Sequence, residues 1–152
     1  MKISKLMHTD VITCRAVDDV DRAAQLMWEH DIGALPVVDE EGHVAGMITD
    51  RDICMAAFTQ GVPLRAIPVS VAMSRRVYTC SPDDTVAEAE RAMAAHQVRR
   101  MPVIDAANHP VGIISVNDLA RASQQKNGVP VGEVASTLAA IGVPRPLITG
   151  QA

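Results

Sequence analysis

Apolar positions along this chain follow two rhythms, and the same succession of rhythms occurs twice. Val11–Cys14 and Val77–Cys80 are short β-prone pieces. A helical spacing follows each: Val20, Ala23, Ala24 and Met27 in the first case, Val86, Ala89 and Met93 in the second. Asp18 and Asp84 stand where a side chain can accept the orphan amide hydrogens of a first turn. Pro82, just upstream, argues against an earlier helical start. Two strands are then predicted, over Leu35–Val38 and Val44–Ile48, with Met101–Ile104 and Val111–Ile114 as their counterparts. Asp39-Glu40-Glu41-Gly42 and Asp105-Ala106-Ala107-Asn108 read as the turns between them. A second helix is predicted from Asp50 to Phe58, and again from Asn117 to Ser123.

The order β-α-β-β-α therefore repeats, with an offset of 66 residues and no gap from residue 11 to residue 53. Fifteen of those 43 positions are identical, enough to require that the duplication be read before any single residue. A unit of this size buries too little to stand alone. The expectation is one α/β (α+β) fold of two pseudo-symmetric units, with two equivalent places for a ligand. Strands apolar on both faces beside striped helices predict small sheets covered by helices. The expected organisation is a first unit at 1–66 with an amino-terminal docking turn and a second at 67–123. A tail at 124–152 follows, with a short helix over Val131–Ile141 and a poorly ordered end from Gly142.

Composition narrows the function classes. The residues are 48% hydrophobic, but one Phe, one Tyr and one Trp leave Val, Ile, Leu, Met and Ala to fill the core. The net charge is −4, with no Lys/Arg cluster dense enough for a nucleic-acid footprint. Three cysteines, an odd number, point to a reducing cytoplasm rather than a disulfide scaffold. Met1 to Thr9 lacks the apolar core of a signal peptide, and no run of apolar residues is long enough for a membrane span.

Ile32-Gly33-Ala34-Leu35-Pro36-Val37-Val38-Asp39 with Gly46-Met47-Ile48-Thr49-Asp50-Arg51-Asp52 resembles the cystathionine-β-synthase-type (CBS) domain. So does Val98-Arg99-Arg100-Met101-Pro102-Val103-Ile104-Asp105 with Gly112-Ile113-Ile114-Ser115-Val116-Asn117-Asp118. Two in tandem resemble the paired Bateman module, and the likeness covers about residues 3–123. The resemblance implies two inter-unit clefts that bind adenine nucleotides or related ligands and regulate a partner.

Thr49-x-x-Asp52 and Ser115-x-x-Asp118 carry the main candidate chemistry. A carboxylate one turn beyond a strand-end hydroxyl can accept both hydroxyls of a ribose, while the hydroxyl and free amides meet phosphate. The same acids can equally be helix caps; the resemblance favours ligand contacts. It also implies a phosphate contact for Arg100, with Arg99 beside it, where the first copy has Gly33-Ala34. The other reading of this pair is a solvated basic edge. The asymmetry predicts a better anion site at Arg100 and a weaker counterpart at Gly33-Ala34. Thr79 and Cys80, with Thr13 and Cys14 as equivalents, match where the family grips adenine; the thiols also read as small buried hydrophobes.

His30 and His96 are repeat-equivalent, as are His43 and His109, but none is read as having the close partners of a metal motif. No metal and no required cofactor are expected. No nucleophile–base set, phosphate-cradling loop or nucleophile elbow is present, so the chain is not read as an enzyme. The expected function is a cytoplasmic regulatory module binding AMP or ADP, with ATP behind them, and signalling to an unnamed protein partner. The alternative is an interaction scaffold without nucleotide. A homodimer is expected to cover the apolar second helices, through Ile53, Ala56, Ala57 and Phe58 with Leu119 and Ala122.

Overall fold

The computed structural model describes residues 1–146. The end expected to be poorly ordered lies, for residues 147–152, outside the described residues. The first unit contains β1 (Cys14–Arg15), α1 (Val20–His30), β2 (Ala34–Val38), β3 (Val44–Thr49) and α2 (Asp50–Gln60). A short α3 (Val69–Ala72) leads into the second, which contains α4 (Val86–His96), β4 (Arg100–Ile104), β5 (Pro110–Ser115) and α5 (Val116–Ala122). The carboxyl-terminal α6 (Val131–Ile141) follows.

β1 runs parallel to β2, and β2 pairs antiparallel with β3, giving the order β1-β2-β3. β4 and β5 form the matching hairpin. There the equivalent of β1 shrinks to one parallel bridge, Cys80 to Val103. The fold is thus the expected mixed α/β pair of β-α-β-β-α repeats. Gly42 and Asn108, equivalent turn residues, have φ of 84° and 66°, a left-handed geometry that glycine and asparagine accept most readily.

The helix starts differ from the sequence reading by one residue. Asp19 caps α1 by accepting from Arg22 N at 2.9 Å. Thr85 caps α4, in a reciprocal box with Glu88. Asp18 and Asp84 turn backwards instead and accept from Arg15 N (2.8 Å) and Ser81 N (2.7 Å). Each carboxylate closes the loop between the first strand position and the helix, so the cap falls to the next side chain.

The lead-in segments are exchanged between the units. Ile3, fully buried, packs with Met93, Met101 and Ile114 of the second unit. Ile67, Val69 and Met73 pack with Val20, Leu35 and Ile48 of the first. Bridges repeat the exchange: His8 meets Ile113, and its equivalent Ser74 meets Met47. The hairpin turns also touch, where Val44 N donates to Asn108 O at 3.0 Å. These reciprocal contacts fix the two units against each other and set the shape of the space between them.

α6 packs on α4 and α5 and buries Val134 and Ile141 against the second core. The premise of the expected dimer face changes accordingly. Ile53, Ala56, Leu119 and Ala122 are all buried within the chain itself, and Phe58, at 81% exposure, remains out.

Candidate functional site: an inter-unit cleft

Each unit ends its last strand with a hydroxyl residue that caps the next helix. Thr49 Oγ1 accepts from Asp52 N (3.1 Å), and Asp52 Oδ2 accepts from Thr49 N (2.9 Å). At the equivalent place Asp118 Oδ2 accepts from Ser115 N (2.7 Å) and from Ser115 Oγ (2.6 Å). These are reciprocal capping boxes, so the acids do hold helix starts. The geometry also leaves each carboxylate a second oxygen. Asp118 Oδ1 turns to the cleft wall, where His8 Nε2 lies 2.8 Å away and Arg121 forms an ion pair with it. The cap and the cleft are therefore served by different oxygens of one side chain.

Asp118 lines a cleft of about 700 Å³ between the units, within the range of small-molecule sites. The side from residues 1–66 is mixed, with apolar Val11, Ile12, Ile32 and Ala34 beside polar Thr9, Asp10, His30 and Asp31. The other comes from the second unit and is polar, with Arg100, Ser115, Asn117, Asp118 and Arg121. A Cβ on Gly33 would stand 3.0 Å from Asp50 Oδ2, a tight approach, and 3.6 Å from Arg100 Nη1, an ordinary contact, so this glycine keeps room chiefly for the Asp50 carboxylate. Gly33 and Ala34 line the same cleft as Arg100, not its counterpart as the sequence reading had it. Duplicated positions face each other across the unit boundary, which a linear alignment of the repeats cannot display.

Of the sequence candidates, Arg100, Ser115 and Asp118 meet in this cleft. Thr49 and Asp52 stand at the equivalent helix start of the other unit. Arg99 is exposed and occupies the equivalent of Gly33, while Thr79 is half-buried. Cys80 lies in the second core, and burial, with Asp84 adding to it, pushes its thiol up to about 12. Cys14 behaves likewise beside Asp18. Both thiols are protonated at neutral pH, which removes their nucleophilic form. Sequence reasoning missed His8, Ile12 and Arg121. Arg121 had a signal, three residues after Asp118 on one helix, whereas His8 is 110 residues from its partner.

A second cluster lies where the hairpin turns meet. His43 Nδ1 is 3.3 Å from Asp39 Oδ2 and 3.4 Å from Glu41 Oε2. One donor atom from each of the three falls within 4.8 Å of the others. His109 stacks on His43 with ring centroids 4.9 Å apart. Asp39 and Asp105 also accept amide hydrogens from their own turns, which holds both carboxyls below their usual range.

The family profile of the CBS domain matches residues 3–58 and 65–125. The chain belongs to the CBS-domain family. It is 40% identical to the CBS domain-containing protein YhcV of Bacillus subtilis over 118 residues, which is 78% of this chain and 82% of that protein. Among solved structures it is similar to Hypoxic Response Protein I with two coordinated zinc ions (TM-score 0.72, 32% identity, 80% of this chain and 98% of that one). It is also similar to the CBS domain pair of protein MJ0100 in complex with 5′-methylthioadenosine and S-adenosyl-L-methionine (TM-score 0.72, 28% identity, 80% and 94%). The chain is thus a tandem CBS pair, of a kind that is characteristically a non-catalytic regulatory module. Among the described residues no helix is long and apolar enough to cross a membrane.

One expectation is corrected here. The sequence reading held that no cofactor is required and that no histidine has close metal-type partners. Asp39, Glu41 and His43 form such a group, and a relative of the same fold coordinates two zinc ions. The signal was present as alternate residues, 39, 41 and 43, which a tight hairpin turn gathers on one side.

Proposed function

We propose that this CBS pair is a regulatory sensor that binds an adenine nucleotide, AMP or ADP ahead of ATP, in the Asp118 cleft. Its state is then read by a partner protein. One observation supports this reading most: an open cleft joins two apolar side chains suited to a base, Ile12 and Ile32, with a hydroxyl, a carboxylate and a guanidinium. In this reading the base lies against Ile12 and Ile32. The ribose hydroxyls replace His8 and Arg121 on Asp118 Oδ1, and Arg100 meets phosphate. The two ligands named for the MJ0100 pair both carry an adenosine group. A scaffold with both clefts filled by side chains fits less well, because this cleft is open.

Calorimetry of ligand-free protein against AMP, ADP, ATP, 5′-methylthioadenosine and S-adenosylmethionine tests the reading. Heat from at least one is expected, with Arg100→Ala weakening nucleotides more than adenosine. Silence from all five would sink it.

The cluster at the hairpin turns supports a second reading, a resident divalent ion. An imidazole nitrogen and two carboxylate oxygens form a donor set that suits zinc. Asp39, Glu41 and His43 would hold the ion, which would supply a fixed positive charge where the two units touch. Metal analysis after dialysis against trace zinc should find an ion retained by wild type and lost by His43→Ala. Equal zinc in both would remove this assignment.

We further propose a homodimer through the first-unit helices, where Trp28 and Phe58 stand 88% and 81% exposed. Light scattering that returned the 16.2 kDa chain mass at all micromolar concentrations would refute it.

A further inference from the structure

The offset of 66 residues gives each residue of the Asp118 cleft an equivalent on the Asp52 side, and several of these equivalents make contacts that their counterparts do not. Ile12 and His30 both border the open cleft. Their equivalents, Tyr78 and His96, are stacked ring on ring, with centroids 3.7 Å apart and planes 9° from parallel. Asp31 also borders the open cleft. Its equivalent, Gln97, donates its side-chain amide to Val143 O at 2.8 Å and to Ala140 O at 3.4 Å, at the end of α6. Ala34 leaves space in the open cleft, whereas its equivalent Arg100 points into that cleft from the opposite side.

We infer that Tyr78, stacked on His96, fills the base position of the Asp52 cleft, so that the chain takes one adenosine-type ligand instead of two. The inference rests on the reading of the Asp118 cleft as an adenosine site. The face of Tyr78 that His96 covers at 3.7 Å is closed to a base. A base inserted between the rings would have to double their spacing. It would push His96 at the end of α4 while Gln97, the next residue, is tied to α6. Ile12 is half-buried against the first core and borders the open cleft with an aliphatic side chain, with no ring stacked on it. The duplication has thus kept two clefts in outline and given one of them an internal occupant.

The test exchanges the two equivalent residues and counts sites by calorimetry with AMP and 5′-methylthioadenosine. Wild type should bind one equivalent. Tyr78→Ile, which installs the first unit's own residue, should bind two. Ile12→Tyr, the mirror exchange, should bind none. Two equivalents on wild type, or one on a folded Tyr78→Ile, would overturn the inference while leaving the sensor reading intact. Should no protein bind either probe, the sensor reading fails, and NMR of ligand-free wild type still decides the stack. Tyr78 is the only tyrosine in the chain, so its ring signals are unambiguous. Absent contacts between them and the His96 ring would overturn the inference directly.

Discussion

Replacing Asp118 by alanine should destabilise the ligand-free protein substantially, and the structure shows by how much. The carboxylate is 6% exposed, and both its oxygens are engaged. Oδ2 closes the capping box of α5 through Ser115 N, a contact worth about 1 kcal/mol. Its bond from Ser115 Oγ at 2.6 Å is charge-assisted, and losing it leaves a half-buried hydroxyl to find another partner. Oδ1 faces His8 and Arg121, whose side chains are 60% and 65% exposed. Those two can return to water, so their loss adds little. The sum is ~2–3 kcal/mol, or a fall in Tm of roughly 5–10 °C for a chain of this length. Asp118→Asn keeps an acceptor for the cap and should recover about half of that loss. Urea unfolding of the three proteins without ligand, at one pH, reads the series directly. An Asp118→Ala midpoint equal to wild type would refute the capping argument. It would also free the whole carboxylate for the cleft, the ligand-contact reading that the family resemblance favoured.

The equivalent glycines should not be equally sensitive. A Cβ on Gly46 would lie 2.8 Å from the backbone oxygen of Ser74, whereas on Gly112 it would meet first the flexible Met7 sulfur, at 2.6 Å. Gly46→Ala should cost ~2–3 kcal/mol and Gly112→Ala ~1 kcal/mol in urea unfolding; equal losses would count against this reading. Glu90 is buried between α4 and α6 with Oε1 unpartnered, and burial, with Glu133 adding to it, raises its carboxyl above the ordinary 4.5. The folded state therefore binds this proton more tightly, so its contribution is full below pH 4.5 and is lost as pH rises through the folded value. Glu90→Gln should flatten stability across that window and gain about 1 kcal/mol at pH 8; an unchanged pH profile would refute it. A thiol reagent on native protein should label the exposed Cys54 rapidly and spare Cys14 and Cys80 until unfolding; three fast thiols would show that the cores are open.

The duplication, the order of elements and the fold were legible in the chain because they rest on local rules. Helical spacing, strand runs and turn residues act within a few positions, and an offset of 66 residues states them twice. The strand-end hydroxyls and their acids were legible for the same reason, since a capping box spans only three residues. Even so, one local competition was misjudged: Asp18 and Asp84 bond backwards to the loop, and Asp19 and Thr85 take the caps. The sequence alone left Asp118 divided between cap and ligand contact, because two oxygens of one carboxylate are indistinguishable until the fold aims them. Tertiary structure decided everything that lies across the unit boundary. It set Ile12 and Gly33 opposite Arg100 and Asp118, brought His8 to a carboxylate 110 residues away, and buried Ile53, Ala56, Leu119 and Ala122 of the helix faces that looked free while leaving Phe58 exposed. It also laid Tyr78 on His96, where the first unit leaves its cleft open. The physical reason is that a repeat fixes what each unit is, whereas a cleft between units depends on which faces their packing turns toward each other.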